Sequence, residues 1–229
     1  MANALDSKTV KEYGRAAGAD VVGIAASGDF AQAPEGFRPE DVLPGCRSVV
    51  VLGGAFPPED FRDVDAYTAS RNAMLASMTQ TAKAVEKRIK ADGRKAKAVS
   101  AAGGKWVGGE GRKEHFGTIS LKHAAEIAGL GVIGKNYLLT NPRYGNLLWL
   151  SAVLTDAELE PDERAQFDLC ENCSRCVEAC PAGALDDLAA FGRKGCSRFF
   201  SMEGKKFTIK CFKCRSICPY RLGADIALE

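Results

Sequence analysis

Histidine and tryptophan are scarce in this 229-residue chain, two of each, and neither charge sign dominates. Thirty-one Lys and Arg against 29 Asp and Glu leave a net charge of +2. A balance that close to zero gives no electrostatic case for nucleic acid or for a membrane surface. No apolar run reaches the roughly 18 residues of a membrane-spanning helix. The opening residues MANALDSKTVKEYG lack the basic-then-apolar pattern of a secretory signal, so a cytoplasmic location is expected. Cysteine is also missing from most of the chain. Of nine, only Cys46 precedes residue 170, and eight crowd between Cys170 and Cys218. A reducing compartment argues against a disulfide framework, which leaves metal ligation as the reading of the eight.

What is present first suggests an α/β (α+β) fold, with an open-sheet domain over 1–160 and a cysteine-rich domain over 161–229. Residues 7–18 suit a helix capped by Ser7. VVGIA (21–25) and SVVVLGGAF (48–56) read as buried strands. From about Asp65 to Ala91, the positions Leu75, Met78, Ala82, Val85 and Ile89 recur at helical spacing. Gly93 stops that helix, and cations fill its last turn. AKAVSA (96–101) predicts a third strand. GGKWVGGEGRKEHFG (103–117) reads as an irregular glycine-rich loop, with His115, Glu110, Arg112, Lys113 and Glu114 as a candidate lid or else a solvated surface loop. SLKHAAEIAG (120–129) predicts a helix, GNLLWLSAVLTD (145–156) a strand or half a hairpin, and DAELEPDERAQFD an acidic connector. Beyond it, strand signals are few. Cys46 and His123 read as structural residues.

AGLGVIGKN contains a literal G-x-G-x-x-G at Gly129, Gly131 and Gly134. A dinucleotide turn follows a strand and opens a helix. Here a helical segment precedes the glycines, and Asn141-Pro142 follows too soon for the usual helix. The pattern reads instead as a helix C-cap and a tight turn.

CENCSRCVEACP places Cys170, Cys173, Cys176 and Cys180 in the C-x₂-C-x₂-C-x₃-C-P run of bacterial ferredoxins, whose fourth cysteine ligates the other cluster. CFKCRSICPY supplies Cys211, Cys214 and Cys218, one short of a second run, and Cys196 can complete it. Two [4Fe–4S] clusters with crossed ligands are expected. Cys170, Cys173, Cys176 and Cys218 would hold one, and Cys180, Cys196, Cys211 and Cys214 the other. C-x₂-C pairs also make zinc sites; the doubled CP ending argues for iron–sulfur. After Pro181, AGALDDLAAFG predicts a helix.

KHAAEIAGLGVIGKNYLLTNPRYGNLLWLSAVLTD, followed by both cysteine motifs, resembles the epoxyqueuosine reductases and the C-terminal half of the related reductive dehalogenases. AGADVVGIA and LPGCRSVVVLG resemble the same family. The resemblance implies a nitroreductase-like open-sheet domain, a bacterial-ferredoxin-like two-cluster domain and cobalamin reduced by the clusters. It puts the glycine loop on the cofactor-facing side, so Gly129, Gly131, Gly134, Lys135 and Asn136 are cofactor-binding candidates, with Arg71 and Tyr67 from the long helix. Tyr137, Asn141 and Tyr144 could face the same pocket.

Two family features are absent. The V-D-S-A-P aspartate, the family's proposed proton donor, is replaced in Ala98-Val99-Ser100-Ala101-Ala102. The G-R-D-Y-H run survives only as Arg71 in Ser70-Arg71-Asn72-Ala73-Met74. The helical-repeat extension that the family associates with tRNA is not expected here either. The expected activity is therefore an iron–sulfur oxidoreductase with the catalytic group unassigned. A ferredoxin or flavodoxin would be its donor, a small molecule or a corrinoid protein its acceptor, with neither nucleic acid nor membrane as partner. The alternatives are a non-catalytic electron carrier that binds no cobalamin and, less favoured, a flavin in the same pocket or direct reduction by a cluster.

Overall fold

The computed structural model describes residues 5–107, 114–167, 170–185, 196, 200–203 and 206–223. The chain divides into two units, each built from separate stretches: 1–54, 75–130 and 149–165, and then 55–74, 131–148 and 166–229.

An open sheet of four strands organises the first unit. Its order is β1 (Val21–Ala26), β2 (Ser48–Ala55), β8 (Leu148–Thr155), β3 (Ala96–Val99). β1 runs antiparallel to β2, with Val22 opposite Leu52 and Ile24 opposite Val50. β3 runs antiparallel to β8, with Ala98 opposite Val153. Amide bonds from Arg47 to the Thr155 carbonyl and from Phe56 to the Leu147 carbonyl, both 2.8 Å, bracket the central pair and make it antiparallel too.

Side chains two apart on a strand share a face. Val22, Ile24, Val50, Leu52 and Val153 therefore join one core with Val10 of α1 (Ser7–Ala16) and with Met78, Ala82, Val85 and Ile89 of α3 (Val64–Ala91). The predicted stripe of α3 is the buried one, Leu75 only partly. Each such aliphatic chain contributes about 1.5–3 kcal/mol on full burial. On β1, a Cβ at Gly23 would lie 2.4 Å from the Ala128 carbonyl. The missing side chain lets the end of α4 (Leu121–Ile127) seat against the strand.

Several details differ from expectation. Asp6, not Ser7, caps α1; its carboxylate accepts the Thr9 amide at 2.7 Å, one turn in. Ser7 instead donates to the Glu160 carbonyl at 2.9 Å. The supposed loop 103–117 contains a hairpin of β4 (Gly104–Val107) and β5 (Glu114–Gly117), with Trp106 opposite His115. Flanking glycines hid these short strands. Glu110, Arg112 and Lys113 lie outside the described residues.

The acidic connector is not a free linker. Asp162 exchanges backbone bonds with Ile24: its amide donates to the Ile24 carbonyl at 2.8 Å, and its carboxylate accepts the Ile24 amide at 2.9 Å. Lys11 pairs with the same carboxylate. Asp162→Ala is expected to destabilise the chain by about 1–3 kcal/mol, read as a lower urea midpoint with unchanged m-value.

The second unit holds the first turns of α3 and the small hairpin of β6 (Val132–Ile133) and β7 (Leu139–Thr140). It also holds the cysteine segments with their one-turn helices α5 (Arg175–Glu178) and α6 (Lys213–Ser216). The cysteine-rich part carries an unanticipated hairpin, β9 (Phe200–Glu203) with β10 (Lys206–Ile209), Phe200 opposite Ile209. Thr68 ties it down. Its hydroxyl donates to the Ile209 carbonyl at 3.4 Å and accepts the Ile209 amide at 3.1 Å. The helix expected after Pro181 falls mostly on residues 186–195, outside the described ones. Among the described residues no helix is long and apolar enough to cross a membrane.

Candidate metal centre

The glycine segment is where the sequence first suggested a site. Its geometry is a stop and a turn. α4 ends in paired bonds: the Leu130 amide donates to Ala125 at 2.9 Å and the Gly129 amide to Glu126 at 3.2 Å. Gly129 takes φ +71°, the left-handed conformation such a stop needs. A Cβ there would meet the Glu163 carbonyl at 2.2 Å, and one on Gly131 the Thr140 carbonyl at 2.2 Å. Both glycines therefore face the chain's own backbone. No helix follows: residues 134–138 turn back, with the Tyr137 amide on the Gly134 carbonyl at 2.8 Å, and lead into β7.

That turn organises the cysteine loops. Lys135 Nζ donates to the carbonyls of Glu171 (3.3 Å) and Cys173 (3.1 Å). Asn136 is buried; its Nδ2 donates to the Cys214 carbonyl at 3.2 Å and its Oδ1 accepts the Leu138 amide at 3.0 Å. One short turn thus holds the first cysteine run through Lys135 and the second through Asn136.

Two cavities open around it. Cys170, Cys173, Cys176 and Cys218 line the first, with Gly134 and Thr140 on its floor. Cys180, Cys196, Cys211 and Cys214 line the second. Asn136 lines both. The thiols surround space rather than converging. Among the described residues no three His, Cys, Asp or Glu side chains are placed to hold a single metal ion. Soft sulfur donors spread around a cavity suit a multi-iron cube better than one zinc.

The surroundings treat the thiols unequally. Burial, then neighbouring Cys170, Cys218 and Cys173, pushes the Cys176 thiol up. Burial pushes the Cys214 thiol up to about 11, with the Arg215 charge pulling the other way. Burial also raises Cys218, against the Tyr220 backbone and the Asn146 amide, which favour its thiolate. The Ala184 amide donates to Cys180 Sγ at 3.4 Å, the kind of bond that tunes a cluster sulfur.

Other candidates fall elsewhere. The Tyr67 ring is buried against Phe61 and Phe212, with centroids at 4.8 and 5.2 Å, and lines neither cavity. Arg71 is half-buried and donates to Asn72 Oδ1 at 2.9 Å. Asn141 Oδ1 accepts the Arg143 and Tyr144 amides at 2.9 and 3.0 Å, shaping a turn. His123 bonds Ser120 at 2.6 Å on the surface, and Cys46 is buried with its thiol on the Ser48 carbonyl at 3.4 Å. Sequence reasoning missed Asn146 and Arg215, buried beside the second cysteine run. Only Arg215 offered a signal, as a cation set between ligand cysteines.

Residues 166–186 match the family model of the 4Fe-4S binding domain. Over 124 residues the chain is 32% identical to epoxyqueuosine reductase of Bacillus subtilis, and over 120 residues 35% identical to that of Listeria monocytogenes. The chain is similar to part of the epoxyqueuosine reductases. The matches take in 49% and 48% of this chain but only 32% and 31% of those enzymes, so it spans about a third of the curated relatives' length.

The fold is shared more widely than the sequence. An epoxyqueuosine reductase structure with a modified tRNA stem loop aligns at TM-score 0.63 and 19% identity, over 93% of this chain and 64% of that one. A catabolic reductive dehalogenase aligns at TM-score 0.66 and 20% identity, over 96% of this chain and 33% of that one. Another reductive dehalogenase structure of the same fold suggested a mechanism for B12-dependent dehalogenation. The chain thus carries a 4Fe-4S domain on the mixed α/β, open-sheet fold of these oxidoreductases.

Proposed function

We propose that the chain is an oxidoreductase with two [4Fe–4S] clusters, which passes low-potential electrons to a corrinoid or a substrate held by its α/β domain. One observation carries this: eight cysteines divide four and four around two cavities that share Asn136. The division follows the crossed pattern of the ferredoxin run. A cluster bound in each cavity would supply one-electron transfer. The chain's own residues hold the loops through Lys135 and Asn136 and donate to Cys180.

The donor we infer is a small acidic carrier such as a ferredoxin or flavodoxin. Residues 193–221 contain nine of the chain's 31 Lys and Arg and one of its 29 Asp and Glu. The total of +2 conceals this segregation, which suits an acidic partner. Ile217, 44% exposed, lies in the same stretch. A cytoplasmic setting would keep the eight thiols reduced for cluster insertion. We place a small molecule or a corrinoid protein at the receiving end.

Kinship with a B12-dependent dehalogenase fold supports a corrinoid. The glycine segment fits that cofactor poorly. Gly129 and Gly131 face their own backbone, and Gly134, Lys135 and Asn136 belong to the thiol cavities and their loops. That observation favours the second reading, a carrier that binds no cobalamin and reduces another corrinoid protein.

Anaerobic purification with added hydroxocobalamin, followed by iron, sulfide and cobalt analysis, separates the two. About eight irons per chain with one cobalt supports the enzyme, and eight without cobalt the carrier. Fewer than about six irons, with zinc present, overturns both.

A further inference from the structure

Arg215 is 7% exposed, and no ion pair among the described residues involves it. Its guanidinium lies over three rings, with centroids at 5.6 Å (Phe56), 5.7 Å (Phe61) and 5.9 Å (Tyr67). Asn146, 1% exposed, grips it both ways: Asn146 Nδ2 donates to the Arg215 carbonyl at 3.1 Å, and Arg215 Nη1 donates to the Asn146 carbonyl. The aromatic faces and the carbonyl solvate the cation without neutralising it. A buried charge with no counter-charge among the described residues calls for an explanation, because desolvation makes it unfavourable.

The explanation lies one residue away. Arg215 follows Cys214 directly in α6, and Cys214 lines the second cavity. A cluster gains one negative charge on reduction, and a fixed buried cation favours the more negative form. We propose that Arg215 is the built-in counter-charge of the second cavity's cluster, raising its reduction potential so that it accepts an electron readily. Its aromatic cage and the Asn146 latch hold the charge in place. The inference rests on the two-cluster reading and deepens it. Arg215 adjoins Cys214 of the second cavity in α6, whereas Cys218 of the first cavity lies three residues on, past the end of that helix. The effect should therefore fall on one cluster more than the other.

The test is an anaerobic potentiometric titration followed by EPR, with iron counted on every sample. If the parent protein lacks about eight irons, the two-cluster reading fails first, and visibly. With clusters present, Arg215→Gln is expected to lower the reduced-to-oxidised ratio of one cluster about tenfold at fixed potential. That is a negative shift of about 59 mV for one electron. Arg215→Lys keeps the charge and should stay within about twofold of the parent, a smaller shift on the same scale. Unchanged midpoints in Arg215→Gln overturn the proposal, as do equal shifts in both variants, which would indicate packing. If Arg215→Gln loses iron, Arg215→Lys decides alone, and a tenfold fall there overturns the proposal. Iron loss from both variants also overturns it, since the side chain would then be structural.

Discussion

On the two-cluster proposal, serine at Cys176 is expected to halve the bound iron, from about eight atoms per chain to about four, and serine at Cys214 to do the same. A hydroxyl is a harder and weaker iron ligand than a thiolate, and each cavity has only four thiols. The informative experiment pairs the variants. Cys176 shares its cavity with Cys218, forty-two residues along, and not with Cys180, which belongs to the same run. Cys176→Ser/Cys218→Ser should therefore lose no more iron than either single variant. Cys176→Ser/Cys180→Ser should lose nearly all of it. Cys46→Ser should change nothing, because that thiol is buried on the Ser48 carbonyl away from both runs. Iron and sulfide counts after anaerobic purification decide the matter. If Cys218→Ser combined with Cys214→Ser behaved as one lesion, the crossed arrangement would be wrong.

The second large effect is expected at Gly145. Its φ is +54°, and a Cβ would stand 2.2 Å from both the carbonyl carbon and oxygen of Arg221 and 2.3 Å from the Tyr220 carbonyl. Gly223 (φ +117°) presses back on the same turn, its absent side chain facing the Pro142 carbonyl at 2.5 Å. These neighbours are backbone, so no rotamer change relieves the overlap. Gly145→Ala is expected to destabilise the second unit by about 4 kcal/mol or more, among the large effects of single substitutions. Gly28→Ala is the control. A Cβ there meets nothing within 4 Å, so the change should stay within about 0.5 kcal/mol. Thermal melts of the two variants, measured beside the parent, check both figures. Because Tyr220 and Pro219 also line the first cavity, Gly145→Ala should loosen the cluster proposed there before the one proposed for the second cavity.

How much of this was legible in the sequence depended on how local the signal was. The stripe of α3 and the valine runs of β1 and β2 repeat at fixed periods, and they form as read. The hairpins β4/β5 and β9/β10 have four-residue strands, too short for a period to stand out among glycines and lysines. The cap of α1 was misplaced by one residue because Asp6 and Ser7 are both good caps, and only the geometry selects the carboxylate. The cysteine spacing suggests the proposed grouping because ligand spacing is itself a geometric rule. The work of GKN was not. That Lys135 and Asn136 would bond carbonyls of two distant loops depends on contacts 36 to 78 residues apart, which no local pattern encodes. The Arg215 cage joins residues 56, 61 and 67 to residue 215 and is silent in the sequence for the same reason.

The interleaving of the two cysteine runs also bears on biosynthesis. Each cavity draws a late thiol from the second run, so the second is complete only once Cys214 has been translated and the first only once Cys218 has. A nascent chain arrested at residue 200 would present five cysteines of the segment and no finished cavity. Iron delivery to this protein should then be a late, post-translational event that fills both cavities within a short window. Carboxy-terminal clipping before Cys211 would abolish both at once rather than trimming one.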